Sequence, residues 1–362
     1  MPRTDHAIRI LVDTERLRSP HNGLGQLCRR LGEELVRQRP PHADLTFLVP
    51  DARRGVFGPS VGYSASRWWK RLWASGSYDV WHSTHQDSAF VPSRRSRVVL
   101  TILDLNFLER SDYSPEKKQR RLARVQRKVN RASAIATISE YTASVVRERL
   151  HVPAIPLQVI YLGNPTPPAG TSARPASHPV LGRLGDASRF LLFVGVLHPK
   201  KNVHTLLPAL AHLPGRSLVL AGPDGHSYAT RLREHAASLG LEDRVFIPGA
   251  VDHATKHWLY EHCEALVFPS LSEGFGLPVI EAMAHGKPAF LSGLTSLPEI
   301  GGAEAFYFES FDPDGMASTI RDGLDQFEAD RAFADRLRRR AARFSWEETA
   351  NSYWALYAAV GR

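Results

Sequence analysis

At 362 residues the chain exceeds one ordinary core and fits two domains of medium size. Hydrophobic content of 43 % beside 23 % charged residues is that of a soluble globular protein and argues against a disordered or fibrous chain. Only Cys28 and Cys263 occur, far apart, which removes a disulfide framework and a cysteine zinc site and suits a reducing compartment.

No apolar run approaches the roughly 18–20 residues of a membrane span. The opening "MPRTDHAIRILVD" enters a strand almost at once, so a cytoplasmic protein without a signal peptide is expected. The net charge of +9 calls for an anionic partner: nucleic acid, a lipid surface or a phosphorylated small molecule.

In chain order, "AIRILVD" (7–13) reads as a buried strand and "GQLCRRLGEELVRQ" (25–38) as an amphipathic helix. Strands are predicted at 44–50, 78–83, 97–105 and 132–139, a βαβα order that favours a parallel, doubly wound sheet. "GNPTPPAGTSARPASHP" (163–179) has no apolar periodicity and reads as linker. Strands then resume at 190–195, 217–222, 244–249, 265–270 and 288–292. Helices fall at 203–213, 227–239, 253–262 and from Pro278, and further helices run to the end. The expected organisation is α/β: an N-terminal Rossmann-like domain (1–164), a linker (165–187) and a C-terminal one (188–345). Two such domains imply ligands at the strand carboxyl ends, in a cleft between them.

The stretch "LSEGFGLPVIEAMAHGKP" (271–288) sets Glu273 before a glycine turn and Glu281 within the helix that follows. Pro278 suits a first helical turn, so Gly274, Gly276 and Leu277 are expected to offer backbone amides to an anion. Carboxylates accept hydrogen bonds from hydroxyls, and amides beside carboxylates describe a nucleotide-sugar site. An acid near a helix start also simply complements the helix dipole, and for Glu281 alone that explanation is as good.

In "FVGVLHPKKNVHTLLPAL" (193–210), Lys200 and Lys201 precede a helix start and oppose its dipole, which an anionic ligand explains and a solvated basic loop also permits. In "SPHNGLGQL" (19–27), Gly23 and Gly25 either admit a phosphate or acceptor or make a tight turn. Asp104 ends the strand in "VVLTILDLNFLER", as a loop-orienting or a capping group. His82 and His85 follow the preceding strand, with a structural role at least as good as a site role. "FDPDG" (311–315) is explained by N-capping, and no metal is assigned to it.

Two stretches are basic: "SRWWKRLWAS" (66–75) and the segment 110–132, which holds nine Lys/Arg with Leu122, Val125 and Val129 on one helical face. The rest of that helix is expected to be exposed. Peripheral contact with an anionic membrane is the functional expectation, and a solvated helix with core tryptophans the plain one. Nucleic-acid binding is disfavoured, since no nucleic-acid motif accompanies the charge.

The string "SEGFGLPVIEAMAHGKP" resembles the donor-site signature of retaining GT-B glycosyltransferases, glycosyltransferase family 4, most closely bacterial mannosyltransferases of surface-polysaccharide assembly. The resemblance implies a GT-B fold whose C-terminal helix (346–362) crosses back to the first domain. It implies that Glu273 contacts the donor sugar, that the amides of Gly274 to Leu277 meet sugar and diphosphate, and that Glu281 holds the ribose. Lys201, with Lys200, would meet the diphosphate, and Glu273, Lys201 and Asp104 form the expected catalytic set. The family's arginine after the strand glycine is Val196 here, and its histidine before Asp104 is Leu103.

The expected activity is metal-independent transfer of a hexose, with mannose from GDP-mannose first, to a saccharide or lipid-linked acceptor in O-antigen or lipopolysaccharide synthesis. No cofactor beyond the nucleotide-sugar donor is expected. The alternatives are a catalytically weak sugar-nucleotide-binding partner of an assembly complex and a GT-B-fold epimerase.

Overall fold

The structure, a computed structural model, describes residues 7–19, 23–66, 77–110, 112–166, 182, 184, 189–225 and 227–361. Two compact units appear. The first joins Met1–Gly163 to Ser345–Arg362, and the second is Asn164–Phe344.

The first unit carries seven strands: β1 Ile8–Asp13, β2 Ala43–Val49, β3 Gly62–Ala65, β4 Val80–Ser83, β5 Arg97–Ile102, β6 Ala134–Thr137 and β7 Leu157–Val159. They form one parallel sheet in the order β3-β2-β1-β4-β5-β6-β7. The central strands are continuous apolar runs because helices cover both faces of a parallel sheet. Leu100, Ile102 and Ile135 pack with Val125 and Val129 of the helix Pro115–Val129. Leu11, Leu48, Trp81 and Phe90 form a second cluster.

The second unit repeats the plan with β8 Arg189–Val194, β9 Arg216–Ala221, β10 Val245–Gly249, β11 Ala265–Phe268, β12 Ala289–Ser292 and β13 Phe306–Phe308, ordered β10-β9-β8-β11-β12-β13 and all parallel. Phenylalanines tie its strands together: Phe193 stacks on Phe268 at 5.3 Å and Phe290 on Phe306 at 5.0 Å.

The predicted strands all appear, but β3, β7 and β13 were not foreseen. Each is a three- or four-residue edge strand. Half-exposed sequences such as "GYSA" and "LQV" lack the apolar run that marks a central strand. The last helix, Trp346–Gly361, belongs to the first unit. Its Thr349 hydroxyl donates to the Tyr161 carbonyl at 2.7 Å, and Trp346 lies so close to Gly163 that any side chain there would strike it. Asp312 caps the helix Pro313–Ala329 by accepting from the Gly315 amide at 2.8 Å.

One expectation is corrected on the helix Pro115–Val129. Lys117, Arg120, Arg124 and Arg127 are exposed as expected, but Lys128 is not. Lys128 turns inward and donates to the Gln86 carbonyl at 2.7 Å, and Arg131, just beyond the helix, donates to the carbonyls of Ser93 and Ser96 at 2.9 Å. The loop after β4 has carbonyls with no strand partner, and these two cations satisfy them. Burial holds the Lys128 ammonium below its ordinary value. The other basic stretch, 66–75, lies outside the described residues from position 67 on. No helix among the described residues is long and apolar enough to cross a membrane.

His82 is a core residue. Its Nδ1 lies 2.6 Å from the Tyr357 hydroxyl and its Nε2 lies 2.8 Å from Thr101 Oγ1, which also meets Tyr353. Burial pushes the imidazole down to about 3 from 6.5. Between those values the unfolded chain takes up a proton that the folded chain refuses, so stability is lost as pH falls from 6.5. Urea denaturation between pH 7 and pH 5 should show wild-type stability falling more steeply than that of His82→Gln, the excess slope growing towards about 1.4 kcal/mol per pH unit as the pH falls below 6.5. Equal slopes would refute the buried neutral imidazole.

Candidate functional site

In an open parallel sheet, connections leaving two neighbouring strands in opposite directions open a crevice at their carboxyl ends. In the second unit those neighbours are β8 and β11, with β9 and β10 on one side and β12 and β13 on the other. The loop after β8 carries Lys200 and Lys201; the loop after β11 carries Ser270 to Gly276. They are fastened together, since the Leu271 amide donates to the Lys200 carbonyl at 2.9 Å.

Lys201 sits at the end of a short turn, Pro199–Lys201, started by His198, whose Nδ1 accepts from the Lys200 amide at 3.2 Å. Asn202 follows in the left-handed region at φ 57°, which asparagine tolerates better than most residues. The Lys201 ammonium forms an ion pair with Glu273, and each side chain is only 12 % exposed. Thr295 and Ser296 hold the glutamate's loop from behind. The Glu273 amide donates to Thr295 Oγ1 at 3.1 Å, and Ser296 Oγ donates to the Phe275 carbonyl at 2.7 Å.

Two glycines are required here. At Gly222, beyond β9, a Cβ would stand 2.0 Å from the Gly195 carbonyl oxygen, so only bare backbone fits. Gly276 at φ 121° precedes the helix Leu277–Ala284, a conformation that L side chains rarely adopt. Gly274 and Leu277 remain part-exposed, whereas the Phe275 ring is buried edge-on against Phe344 at 5.8 Å. The phenylalanine therefore anchors the turn while Gly274 and Leu277 stay within reach of solvent.

Glu281 is 3 % exposed, yet both of its oxygens are engaged. Lys256 Nζ donates to Oε1 at 2.5 Å and the Tyr260 hydroxyl to Oε2 at 2.8 Å. Burial, then the Glu281 charge, raises the Tyr260 phenol well above its ordinary value, so it stays a donor. His285 stacks on Tyr260 at 5.8 Å, and His257 Nδ1 lies 3.4 Å from His285 Nε2. Burial, then the Lys256 charge, lowers His257 to about 4, and burial also lowers His285, so the pair is neutral at pH 7. Ser272 Oγ is buried with no hydrogen-bond partner among the described residues. Val196, Leu271 and Leu294, on the loops after β8, β11 and β12, are each over 40 % exposed and add an apolar rim.

The structure thus brings Lys200, Lys201, Glu273, Gly274 to Leu277 and Glu281 together in one unit. Asp104, Gly23 and Gly25 belong to the other. Asp104 Oδ1 accepts from the Asn106 amide at 3.1 Å, a turn-forming contact. Leu103 is buried, and its amide donates to Gln86 Oε1 at 3.1 Å. His85 is packed beside Arg16 and Glu15. Gly23 begins the helix Gly23–Arg37 with open space where a Cβ would stand. Lys256 and Tyr260 were missed by sequence reasoning; their only signal was the one-turn spacing in "KHWLY", which gives them one helix face. Among the described residues no group of three or more His, Cys, Asp or Glu is placed to hold a metal.

Two family models match: "Glycosyl transferases group 1" over residues 182–343 and "Glycosyltransferase Family 4" over residues 21–166. The chain belongs to the GT-B glycosyltransferases. This glycosyltransferase is 27 % identical over 297 residues to the O-antigen chain mannosyltransferase B of Escherichia coli, covering 78 % of this chain and 77 % of that one. Its fold is that of sucrose-phosphate synthase from Thermosynechococcus elongatus, with a TM-score of 0.74 at 20 % identity over 98 % of this chain and 99 % of that one. HepE from Anabaena, solved with UDP-glucose, gives a TM-score of 0.74 at 20 % identity over 97 % and 99 %.

Replacing Lys256 by methionine would strand the Glu281 carboxylate in a buried position. Lys256→Met in the glycosyltransferase is expected to destabilise the second unit by about 3 kcal/mol, measured by denaturant unfolding. A loss below about 0.5 kcal/mol, the level of an exposed pair, would show that Glu281 does not depend on this partner.

Proposed function

We propose that the glycosyltransferase moves a hexose with retention from a nucleoside-diphosphate sugar to a hydroxyl of a saccharide or lipid-linked acceptor. Mannose from GDP-mannose is the first choice, in the assembly of O-antigen or a related surface polysaccharide. The observation that carries the donor assignment is the Lys201–Glu273 ion pair at the carboxyl ends of β8 and β11, beside the helix start at Leu277. The mannose assignment draws on the E. coli O-antigen mannosyltransferase.

In this reading the diphosphate takes the Lys201 ammonium and the amides of Gly274 to Leu277, which meet the charge that develops as it departs. Lys200 assists, and no metal is needed for that charge. Glu273, released from its lysine, accepts from the sugar hydroxyls. The unpartnered Ser272 hydroxyl offers one more contact. Glu281 accepts from the ribose hydroxyls through the lone pairs that Lys256 and Tyr260 leave open. The acceptor attacks on the face that the diphosphate leaves, and a phosphate oxygen takes its proton. Asp104 supports the acceptor side by holding the turn after β5, and Gly23 and Gly25 let a ligand approach the first helix closely.

Lys201→Ala and Glu273→Ala should each lower kcat by about 10²–10³ in the folded protein, read as acceptor-dependent release of nucleoside diphosphate. Turnover near wild type in either would remove the role assigned to it. Thermal unfolding with GDP-, UDP- and dTDP-sugars should single out one base, since about 100 Kd of ligand adds about 2.7 kcal/mol. A shift with UDP-sugars alone would replace GDP-mannose as donor. The anomeric configuration of the product, read by NMR, checks retention.

A further inference from the structure

Behind the glycine turn the second unit holds a polar network that takes no part at the reacting centre. Glu281 is the fifth residue of the helix Leu277–Ala284, and a helical side chain leans towards the start of its own helix, here the turn Gly274–Gly276. Its two partners come from the helix His253–His262, which follows β10. Lys256 and Tyr260 stand one turn apart on one face of it. Lys256 Nζ donates to Oε1 at 2.5 Å and the Tyr260 hydroxyl to Oε2 at 2.8 Å, so each carboxylate oxygen has its own donor. The His285 ring lies within 10° of parallel to the Tyr260 ring and sets its direction.

The terminal torsion of a glutamate is broad and two-fold, so a single donor would leave the carboxylate free to swing. Two donors on opposite oxygens, both from one helix, fix its plane. The Lys256 and Glu281 side chains are only 14 % and 5 % exposed, so water competes little for these contacts. An ionised carboxylate has about four lone-pair sites. Lys256 and Tyr260 fill one on each oxygen, and among the described residues no other donor reaches Glu281. What remains is one open acceptor site on each oxygen, which matches the two donors of a vicinal diol.

We infer that Lys256 and Tyr260 are positioning residues that hold Glu281 for both ribose hydroxyls, so that the site selects ribonucleoside diphosphate sugars over their 2′-deoxy counterparts. This selectivity rests on the donor site proposed above and narrows its substrates, excluding thymidine diphosphate sugars as a class. A 2′-deoxyribose brings one hydroxyl to a carboxylate fixed for two. One charge-assisted hydrogen bond is then unmade and one buried acceptor site is left without a partner. Sites built to bond a hydroxyl reject the analogue lacking it far more strongly than apolar pockets reject an added one.

The test titrates the full chain by calorimetry with GDP and UDP, and with 2′-deoxy-GDP and 2′-deoxy-UDP. Whichever ribonucleotide binds more tightly should exceed its 2′-deoxy form at least about tenfold. Tyr260→Phe keeps the ring against His285 and removes only the hydroxyl. It should lower that ratio at least about threefold, through weaker binding of the ribonucleotide, with the 2′-deoxy form little changed. A tyrosine that merely supports the fold would weaken both forms alike, so the ratio is the readout. Lys256→Met, measured well below its unfolding midpoint, should lower the ratio in the same way.

A wild-type ratio within about twofold of unity would overturn the selectivity and leave the donor site standing, since both nucleotides would still bind. A ratio of about ten or more that neither variant changes would overturn the role of Lys256 and Tyr260. If neither GDP nor UDP binds the wild type, the donor reading falls, and the selectivity with it.

Discussion

The Lys201–Glu273 ion pair joins two loops that the chain separates by about seventy residues, and the site's other contacts are arranged around it. The pair exists because β8 and β11 are neighbours in space whose connections run apart, leaving one loop from each over the gap. A lysine and a glutamate this little exposed are costly apart and tolerable together. Their loops are therefore pinned from below. The Leu271 amide reaches the Lys200 carbonyl, and the Ser292 hydroxyl donates to the Ser270 carbonyl at 2.5 Å. A pair held so closely keeps a cation and an anion ready at one point without either being lost to solvent.

Charge compensation recurs at other buried carboxylates. Glu281 is matched by Lys256 and Tyr260. In the first unit Glu15 is matched by Arg16, Arg18 and His85. Burial alone would raise the Glu15 carboxyl, but the hydrogen bond with His85 and the arginine charges outweigh it and hold it below its ordinary value. Asp13 differs: burial dominates there and raises its carboxyl, even with Ser88 and the Glu15 amide donating to it. The basic character of the chain is thus divided. Lys128 and Arg131 satisfy loop carbonyls, while Arg120 and Arg124 stay exposed.

Much of this is legible in the sequence alone. Central strands such as "ALVF" and "FLLFV" announce themselves because a parallel strand buried on both faces must be apolar throughout. The turn "EGFGLP" was legible because its residue types have few other uses: glycine at positive φ, then proline at a helix start. The edge strands β3, β7 and β13 were not, since a half-exposed strand has no distinctive composition. Nor were the partners of Glu281, because a lysine and a tyrosine on another helix meet it only after the sheet is assembled.

By itself the sequence determined the class of fold, two alternating α/β halves, and the place of the glycine turn between two glutamates. Local stereochemistry and burial period act within a few residues, so they can be read along the chain. Only the tertiary structure decided which glutamate meets which lysine, that His82 is a neutral core group, and that Lys128 faces inward while Arg120 and Arg124 stay exposed. Those outcomes depend on which strand ends become neighbours, and strand order in a parallel sheet is set by packing across the whole unit.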